Sequence, residues 1–247
     1  LDGTLIKSDM TLESALLLIK RNFLYLLLIP FWFLRGRPYL KQQLAQRTNV
    51  PLDYLPVNEE FFHFLKQEKI KGRPITLISA SNQEVVSQVS DHFQLFDNAF
   101  GSNDRINLKA ENKLKRIREM HTEAFSYAGN SSADLPIWIE AQEAVMVNCN
   151  ESLVQRLRRN TTAILRFDNA VPFPLKLWQA MRPHQWLKNL LLFVPLVLAH
   201  RINDPTLLLQ TTIGFLSFSL CASSVYLLND MLDLNSDRQH HSKHRRP

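Results

Sequence analysis

Residues 73–79 read Arg-Pro-Ile-Thr-Leu-Ile-Ser, and this run decides the fold class. Apolar and β-branched residues follow one another without the polar alternation of a half-exposed strand. That pattern suits a strand covered on both faces, as in a parallel sheet. Three further short apolar runs repeat it: FDNAFGS (96–102), AFSYAGN (124–130) and AVMVN (144–148). Amphipathic stretches of helical length accompany them, at Asn58–Gln67, Glu84–Phe93, Ala110–Met120 and Asp134–Ala144. Strand and helix in alternation predict a doubly wound, Rossmann-like α/β domain over residues 1–167.

Beyond Phe167 the pattern changes. Pro172 and Pro174 mark a linker, expected over 168–181. The chain then turns apolar. Thr206–Asn229 holds 24 residues without a charge, and about 20 suffice to cross the hydrocarbon core. Gly214, Ser217, Ala222 and Ser223 are small residues that let membrane helices approach closely. Asn189–His200 has 12 uncharged residues; following RPHQWLK (182–188), it reads as an earlier span kinked at Pro195. Two transmembrane helices are therefore expected, over about 185–203 and 206–229. Arg182 and Lys188 precede the pair, and Arg238, Lys243, Arg245 and Arg246 follow it. Only Arg201 lies between them, so both flanks and the α/β domain are expected in the cytoplasm of an integral membrane protein, as in a bacterial inner membrane.

The whole chain has 247 residues and a formal net charge of +6. The positive excess gathers beside apolar stretches, at Arg156–Arg159 and in the last ten residues. It favours a membrane surface or phosphate over nucleic acid. Cys149 and Cys221 lie far apart and give neither a disulfide framework nor metal spacing, which fits a reducing compartment. Asn22–Leu34 (NFLYLLLIPFWFL) is a third uncharged run, of 13 residues. Two readings of it stand: a buried or capping helix, or an interfacial helix with Tyr25 and Trp32 at the headgroup level.

Open parallel sheets place their sites at the carboxyl ends of the strands. Asp2 stands in LDGTLIKSD (1–9), Ser79 ends RPITLIS, Lys113 opens the helix after NLKAENK, and Asn130 and Asp134 follow FSYAG as GNSSAD. Phosphate hydrolysis through an aspartyl-phosphate needs this kind of set: carboxylates, a hydroxyl, a cation, and acids for Mg2+. Each residue also has an ordinary structural reading. Ser79 could cap a helix, Lys113 could be solvated, and Asp134 could complement a helix dipole. Taken in order, DGTL, LISAS, Lys113 and GNSSADLPIW resemble the haloacid dehalogenase superfamily of phosphohydrolases over about residues 1–150. The resemblance implies a helical cap or insert at about 11–70. It makes Asp2 the acid/base, Ser79 and Lys113 the phosphate ligands, and Asp2, Asn130 and Asp134 the Mg2+ ligands. The family's nucleophile would precede Leu1. Asn130 stands where an Asp is common and removes a charge from the metal site.

The second apolar run ends in YLLNDMLDLNSDRQHH. Asn229, Asp233 and Asp237 are four residues apart, so on a helix they share a face, rising roughly 6 Å per step. Acids at the mouth of a membrane helix are costly unless a cation binds there. With RPHQWLKN upstream, this stretch resembles the UbiA-type superfamily of polyprenyl-transferring membrane enzymes over about Leu177–Pro247. The resemblance implies that Asn229, Asp230, Asp233 and Asp237 bind diphosphate through Mg2+, with phosphate contacts from Lys188, Arg238, Lys243 and Arg246. His240, His241 and His244 are expected on a solvated basic loop. The nearest branch transfers 5-phosphoribose from phosphoribosyl diphosphate to polyprenyl phosphate; an aromatic-acceptor prenyltransferase, with a non-catalytic phosphate-binding α/β module, is the alternative. Both ends stop inside recognisable motifs. The expectation is therefore a piece of a longer fusion, 182–247 being the first two membrane helices, that by itself catalyses neither reaction.

Overall fold

The computed structural model describes residues 1–103, 107–120, 124–159, 163–168 and 173–239. The chain divides into two compact units, Leu1–Ala170 and Val171–Pro247.

The first unit begins with an irregular segment in which Ile6 bridges both Asp2 and Val57. Helices α1 (Met10–Arg21), α2 (Tyr25–Leu34) and α3 (Arg37–Ala45) follow. Asp9 starts α1 by accepting the amides of Thr11 and Leu12 at 2.7 and 3.2 Å, as an N-cap should. After α4 (Glu59–Ile70), strands and helices alternate: β1 (Thr76–Asn82), α5 (Gln83–Phe93), β2 (Asn98–Ser102), α6 (Glu111–Met120), β3 (Ser126–Gly129), α7 (Leu135–Glu140), β4 (Glu143–Val147), α8 (Glu151–Arg158) and β5 (Ile164–Phe167). Asn58, Asn82 and Asn150 cap α4, α5 and α8 with their side chains.

Among the described residues the named strands pair in parallel, as the sequence predicts, but they form two sheets instead of one. β1 pairs with β2, with Thr76 opposite Asn98. β4 lies between β3 and β5, with Ser126 opposite Glu143 and Ala144 opposite Ile164. A cavity of about 400 Å³ is lined by both β1 (Thr76–Ile78) and β3 (Ser126–Ala128), together with Leu1 and Leu5. Arg73, just ahead of β1, links the two sheets around it. Its guanidinium donates to Glu68 at 2.7 Å and to Ser126 Oγ at 2.8 Å, and lies 3.6 Å from Glu143. Arg73, with Lys71 beside it, holds the Glu68 carboxyl below its ordinary range.

Two apolar cores flank these strands. Trp138, Ile137, Met146, Val154 and Leu157 fill one; Leu5, Ile6, Phe61, Val86, Val89 and Val147 fill the other. A third, smaller cluster of Leu18, Trp32 and Leu44 packs α1, α2 and α3 together. In it the Tyr25 and Trp32 rings pack against each other, tilted by 49°, with centroids 5.9 Å apart. They face inward, and this corrects the placement of both rings at a headgroup surface.

Other boundaries differ from the sequence reading for local reasons. β1 runs on to Asn82, with its register broken between Ile78 and Asn82. The helix expected over Asp134–Ala144 ends at Glu140. Ala141 turns extended (ψ 141°), and Ala144–Val147 are claimed by β4, where all four are buried. Strand β5 and helix α8 have no counterpart in the four runs read from sequence.

In the second unit, α9 (Phe173–Ala180) occupies part of the expected linker. A 3-10 helix over Pro183–Phe193 follows, then α10 (Val194–Leu198), α11 (Pro205–Leu232) and α12 (Leu234–Gln239). Asp204 caps α11 by accepting the amides of Thr206 and Leu207. Among the described residues α11 is the one helix long and apolar enough to cross a membrane. Where the sequence predicts an earlier span, over 185–203, the described residues form a 3-10 helix joined to a short α-helix, so a second spanning helix is not shown. Pro183 and Pro195 carry no N–H and stand near the start of the two pieces. Asn189 donates to Ser219 Oγ at 2.9 Å and Trp186 to Ser223 Oγ at 3.0 Å. Ser223 in turn donates to the Met181 carbonyl at 2.8 Å. Of the small residues singled out in sequence, Ser223 makes this contact, whereas a Cβ added at Gly214 would meet nothing within 4 Å among the described residues outside its own helix backbone.

Trp138 is fully buried and donates Nε1–H to the Tyr127 carbonyl at 3.1 Å. Trp138→Ala should lower the stability of the first unit by about 3–5 kcal/mol, read from its urea midpoint. Ile139→Ala, at a largely exposed neighbour, should change it by at most about 0.5 kcal/mol.

Candidate functional site

In the first unit a cleft of about 590 Å³ collects all five residues singled out in sequence: Asp2, Ser79, Lys113, Asn130 and Asp134. Arg37, Lys41 and Lys109 add three more cations to its walls, and Asp9 one more acid. Basic side chains thus outnumber acidic ones, which suits an anionic ligand.

The sequence reading of Asp2 needs one addition. Asp2 Oδ1 accepts the Met10 amide at 3.2 Å, and Oδ2 accepts the Ser81 hydroxyl at 2.7 Å. Ser79 lies two residues earlier on β1, on the same face by the strand period of two. Its hydroxyl oxygen accepts the Ser81 amide at 3.1 Å. Ser81 was not singled out in sequence, although that period marks it once Ser79 is chosen.

The turn after Asp2 is glycine by necessity. Gly3 has φ +69°, and a Cβ there would fall 2.0 Å from Asn130 Nδ2. This close approach sets Asn130 against the Asp2 turn.

Lys113 and Asp134 form a nearly buried ion pair, with Nζ 3.2 Å from Oδ1 and side chains 12% and 7% exposed. Tyr127 completes the group. Its hydroxyl accepts from Lys113 at 2.9 Å and donates to Asp134 Oδ1 at 2.9 Å. Burial, then the Asp134 charge, pushes the Tyr127 phenol well above its ordinary value, so it stays a donor. Asp134 Oδ2 accepts the Ser131 amide at 3.3 Å within a capping box. Asp134 thus fills its structural role in the first turn while its other oxygen faces Lys113. Nearby, burial pushes the Cys149 thiol up to about 11.

Lys41 reaches the cleft from α3 and donates to the Ala80 carbonyl at 2.8 Å. It has no sequence signal, being one lysine on an amphipathic helix. Burial lowers its pKa, against the opposing pull of Asp2 and Asp9.

In the second unit the acidic run straddles a helix boundary. Asn229 and Asp230 lie in α11, Asp233 ends it and Asp237 lies in α12. The Asp233 amide donates to the Asn229 carbonyl at 2.9 Å, and the Asp237 amide to the Asp233 carbonyl at 2.8 Å. The four-residue spacing therefore keeps its helical hydrogen bonds through the break. Asp230 is engaged differently: Arg182 donates to its two oxygens at 2.8 and 2.6 Å and lies over the Tyr226 ring. Lys188 is exposed on the 3-10 helix and Arg238 lies in α12. Lys243 and Arg246, with His240, His241 and His244, lie outside the described residues.

Both sites offer hard oxygen donors of the kind Mg2+ takes. Among the described residues, no three or more His, Cys, Asp or Glu gather into a group that could hold a metal ion.

The lowered Lys41 fixes an expected pH dependence. The protonated, anion-binding form is lost on raising the pH through a value below the ordinary 10.5. Inorganic phosphate affinity, followed by calorimetry, should fall over that alkaline range. Lys41→Arg should abolish the fall, since arginine stays protonated. Lys41→Met should weaken binding roughly tenfold or more below that range, the loss of one charge-assisted hydrogen bond, and should converge with the native protein above it.

No family model matches the chain. It is 39% identical over 245 residues to y4nM, an uncharacterized protein of Sinorhizobium fredii, covering 98% of the chain and 47% of that protein. It is 46% identical over 79 residues to the nodulation protein NoeC of Azorhizobium caulinodans, 31% of the chain and 24% of that protein. A decaprenyl-phosphate phosphoribosyltransferase of Mycobacterium tuberculosis is 42% identical over 73 residues, 28% of the chain and 24% of that enzyme. The chain thus spans about half the length of one of these relatives and about a quarter of the other two.

Proposed function

We propose that the chain forms part of a membrane transferase that acts on polyprenyl phosphate and moves a 5-phosphoribosyl group onto it. The observation that supports this most is the partial similarity to decaprenyl-phosphate phosphoribosyltransferases from mycobacteria and Corynebacterium glutamicum, at 40–42% identity. Those matches run to 71–73 residues, the size of the segment holding RPHQWLKN and NDMLDLNSDR. That segment also holds α11 with its acidic end. In this reading Asn229, Asp233 and Asp237 would hold Mg2+, which supplies positive charge toward a departing diphosphate. Arg182 Nη2 donates to both Asp230 oxygens and so fixes the start of the 3-10 helix against the end of α11. Lys188 and Arg238 would contribute phosphate contacts in this reading.

The first unit is proposed to be a phosphate-monoester site of the haloacid dehalogenase type. Its cleft would take the 5-phosphate that the transferred sugar still carries. Lys113, with Arg37 and Lys41, would balance the phosphate charge. Asp2, steadied by Ser81 and the Met10 amide, would give a proton to the departing sugar oxygen while the phosphoryl group passes to a nucleophilic carboxylate of the complete protein, from which water then releases it. A tethered hydrolase meets its partner's product at high effective concentration, which is a physical reason for the fusion.

The test follows the lipid products of the complete protein in membranes, given polyprenyl phosphate, phosphoribosyl diphosphate and Mg2+, by mass spectrometry. A lipid-linked ribose is expected. Asp233→Ala should cut its formation by roughly 100-fold or more, the scale of several kcal/mol of charge stabilisation. Asp2→Asn should leave transfer intact and let the 5-phosphorylated lipid accumulate. Lipid without sugar would overturn the transferase reading; equal dephosphorylation by Asp2→Asn would overturn the hydrolase reading.

A further inference from the structure

Helix α2 is built the wrong way round for a water-facing surface. Tyr25, Ile29 and Trp32, spaced by four and three, form its inward stripe against Leu18 and Leu44. Arg47 lies over the Trp32 ring and closes that side. The remaining faces are apolar and open. Phe23, Leu24, Leu27 and Phe31 are 64–68% exposed, and Leu34 is 81% exposed. An exposed run of this kind marks a binding surface.

Charge selects the occupant. Residues 20–37 contain no acid, and the apolar run is flanked by Lys20 and Arg21 on one side and by Arg35 and Arg37 on the other, all four exposed. An apolar face framed by basic residues complements an anionic bilayer, where apolar side chains enter the acyl boundary and cations meet the headgroups. A second copy of the same face would set these cations against each other. The ten residues of α2 span about 15 Å, roughly half the hydrocarbon core, so the helix can lie on a bilayer but cannot cross it. A bilayer is also within the chain's reach, because α11 has the length and composition to cross one.

We propose that Asn22–Arg35 is an interfacial anchor that docks the first unit on anionic lipid. Phe33 and Arg37 line the 590 Å³ cleft as well, so docking brings the cleft to the headgroup layer. The anchor rests on the exposure and charge of α2, not on the reaction proposed above, and its test reads no activity.

The experiment uses the full chain reconstituted in vesicles of phosphatidylcholine, with or without phosphatidylglycerol. Cys221 is exposed and is replaced by serine; Cys149 is buried and stays. A nitroxide at Leu27→Cys then reports contact with oxygen in the lipid phase and with a nickel chelate in water. With phosphatidylglycerol present, the label should be protected from nickel and open to oxygen. Gln at Lys20, Arg21 or Arg35 should weaken docking roughly fivefold per residue, and Leu24→Asp with Phe31→Asp should return the label to water. Equal nickel access in both kinds of vesicle would overturn the proposal. So would protection indifferent to lipid charge, or protection with spin–spin broadening that vanishes on dilution with unlabelled chain, which would make the face a contact between copies.

Discussion

The buried pair of Lys113 and Asp134 is the interaction on which the first unit's cleft depends. Two charges 3.2 Å apart and almost out of water are tolerable only because each meets further partners. Tyr127 bridges them from β3, and the Ser131 amide takes the other carboxylate oxygen. One group thereby ties three places in the chain: the start of α6, the middle of β3 and the turn into α7. Removing either charge would leave the other buried and unpaired. The same pair leaves the cleft wall cationic once Arg37, Lys41 and Lys109 are added.

A second constraint acts at the first residues. Asp2 is held by a strand hydroxyl and a helix amide, Gly3 has no room for a side chain, and Asn130 packs against that turn. The carboxyl end of β1, the carboxyl end of β3 and the start of α1 therefore converge. Arg73 does the corresponding work at the opposite end of β1, joining the two sheets through Glu68, Ser126 and Glu143.

The second unit is ordered by polar contacts in an apolar setting. Ser219 and Ser223, four apart on α11, receive Asn189 and Trp186 and are both buried. The contact of Arg182 Nη2 with both Asp230 oxygens fixes the other end. Hydrophobic burial alone gives an all-apolar helix no preferred neighbour in lipid. Hydrogen bonds and small side chains supply one.

The parallel strands, and five of the residues that line the cleft, were legible in the sequence. Strand runs covered on both faces, and sites at strand ends, follow from local pattern and topology. Helix α11 was legible for the same reason, since length and composition set its range. Strand β5 was not, because ILRF carries an arginine and reads as mixed; only pairing with β4 makes it a strand. Lys41 entered the cleft through a long-range approach that no spacing in its own segment encodes, and the contact of Ser81 with Asp2 joins residues far apart in sequence. The division into two sheets, the 3-10 course of Pro183–Phe193 and the inward turn of Tyr25 and Trp32 were likewise decided by tertiary structure. In each case the sequence offered an apolar or polar surface, and packing against a distant element chose which side of it would be covered.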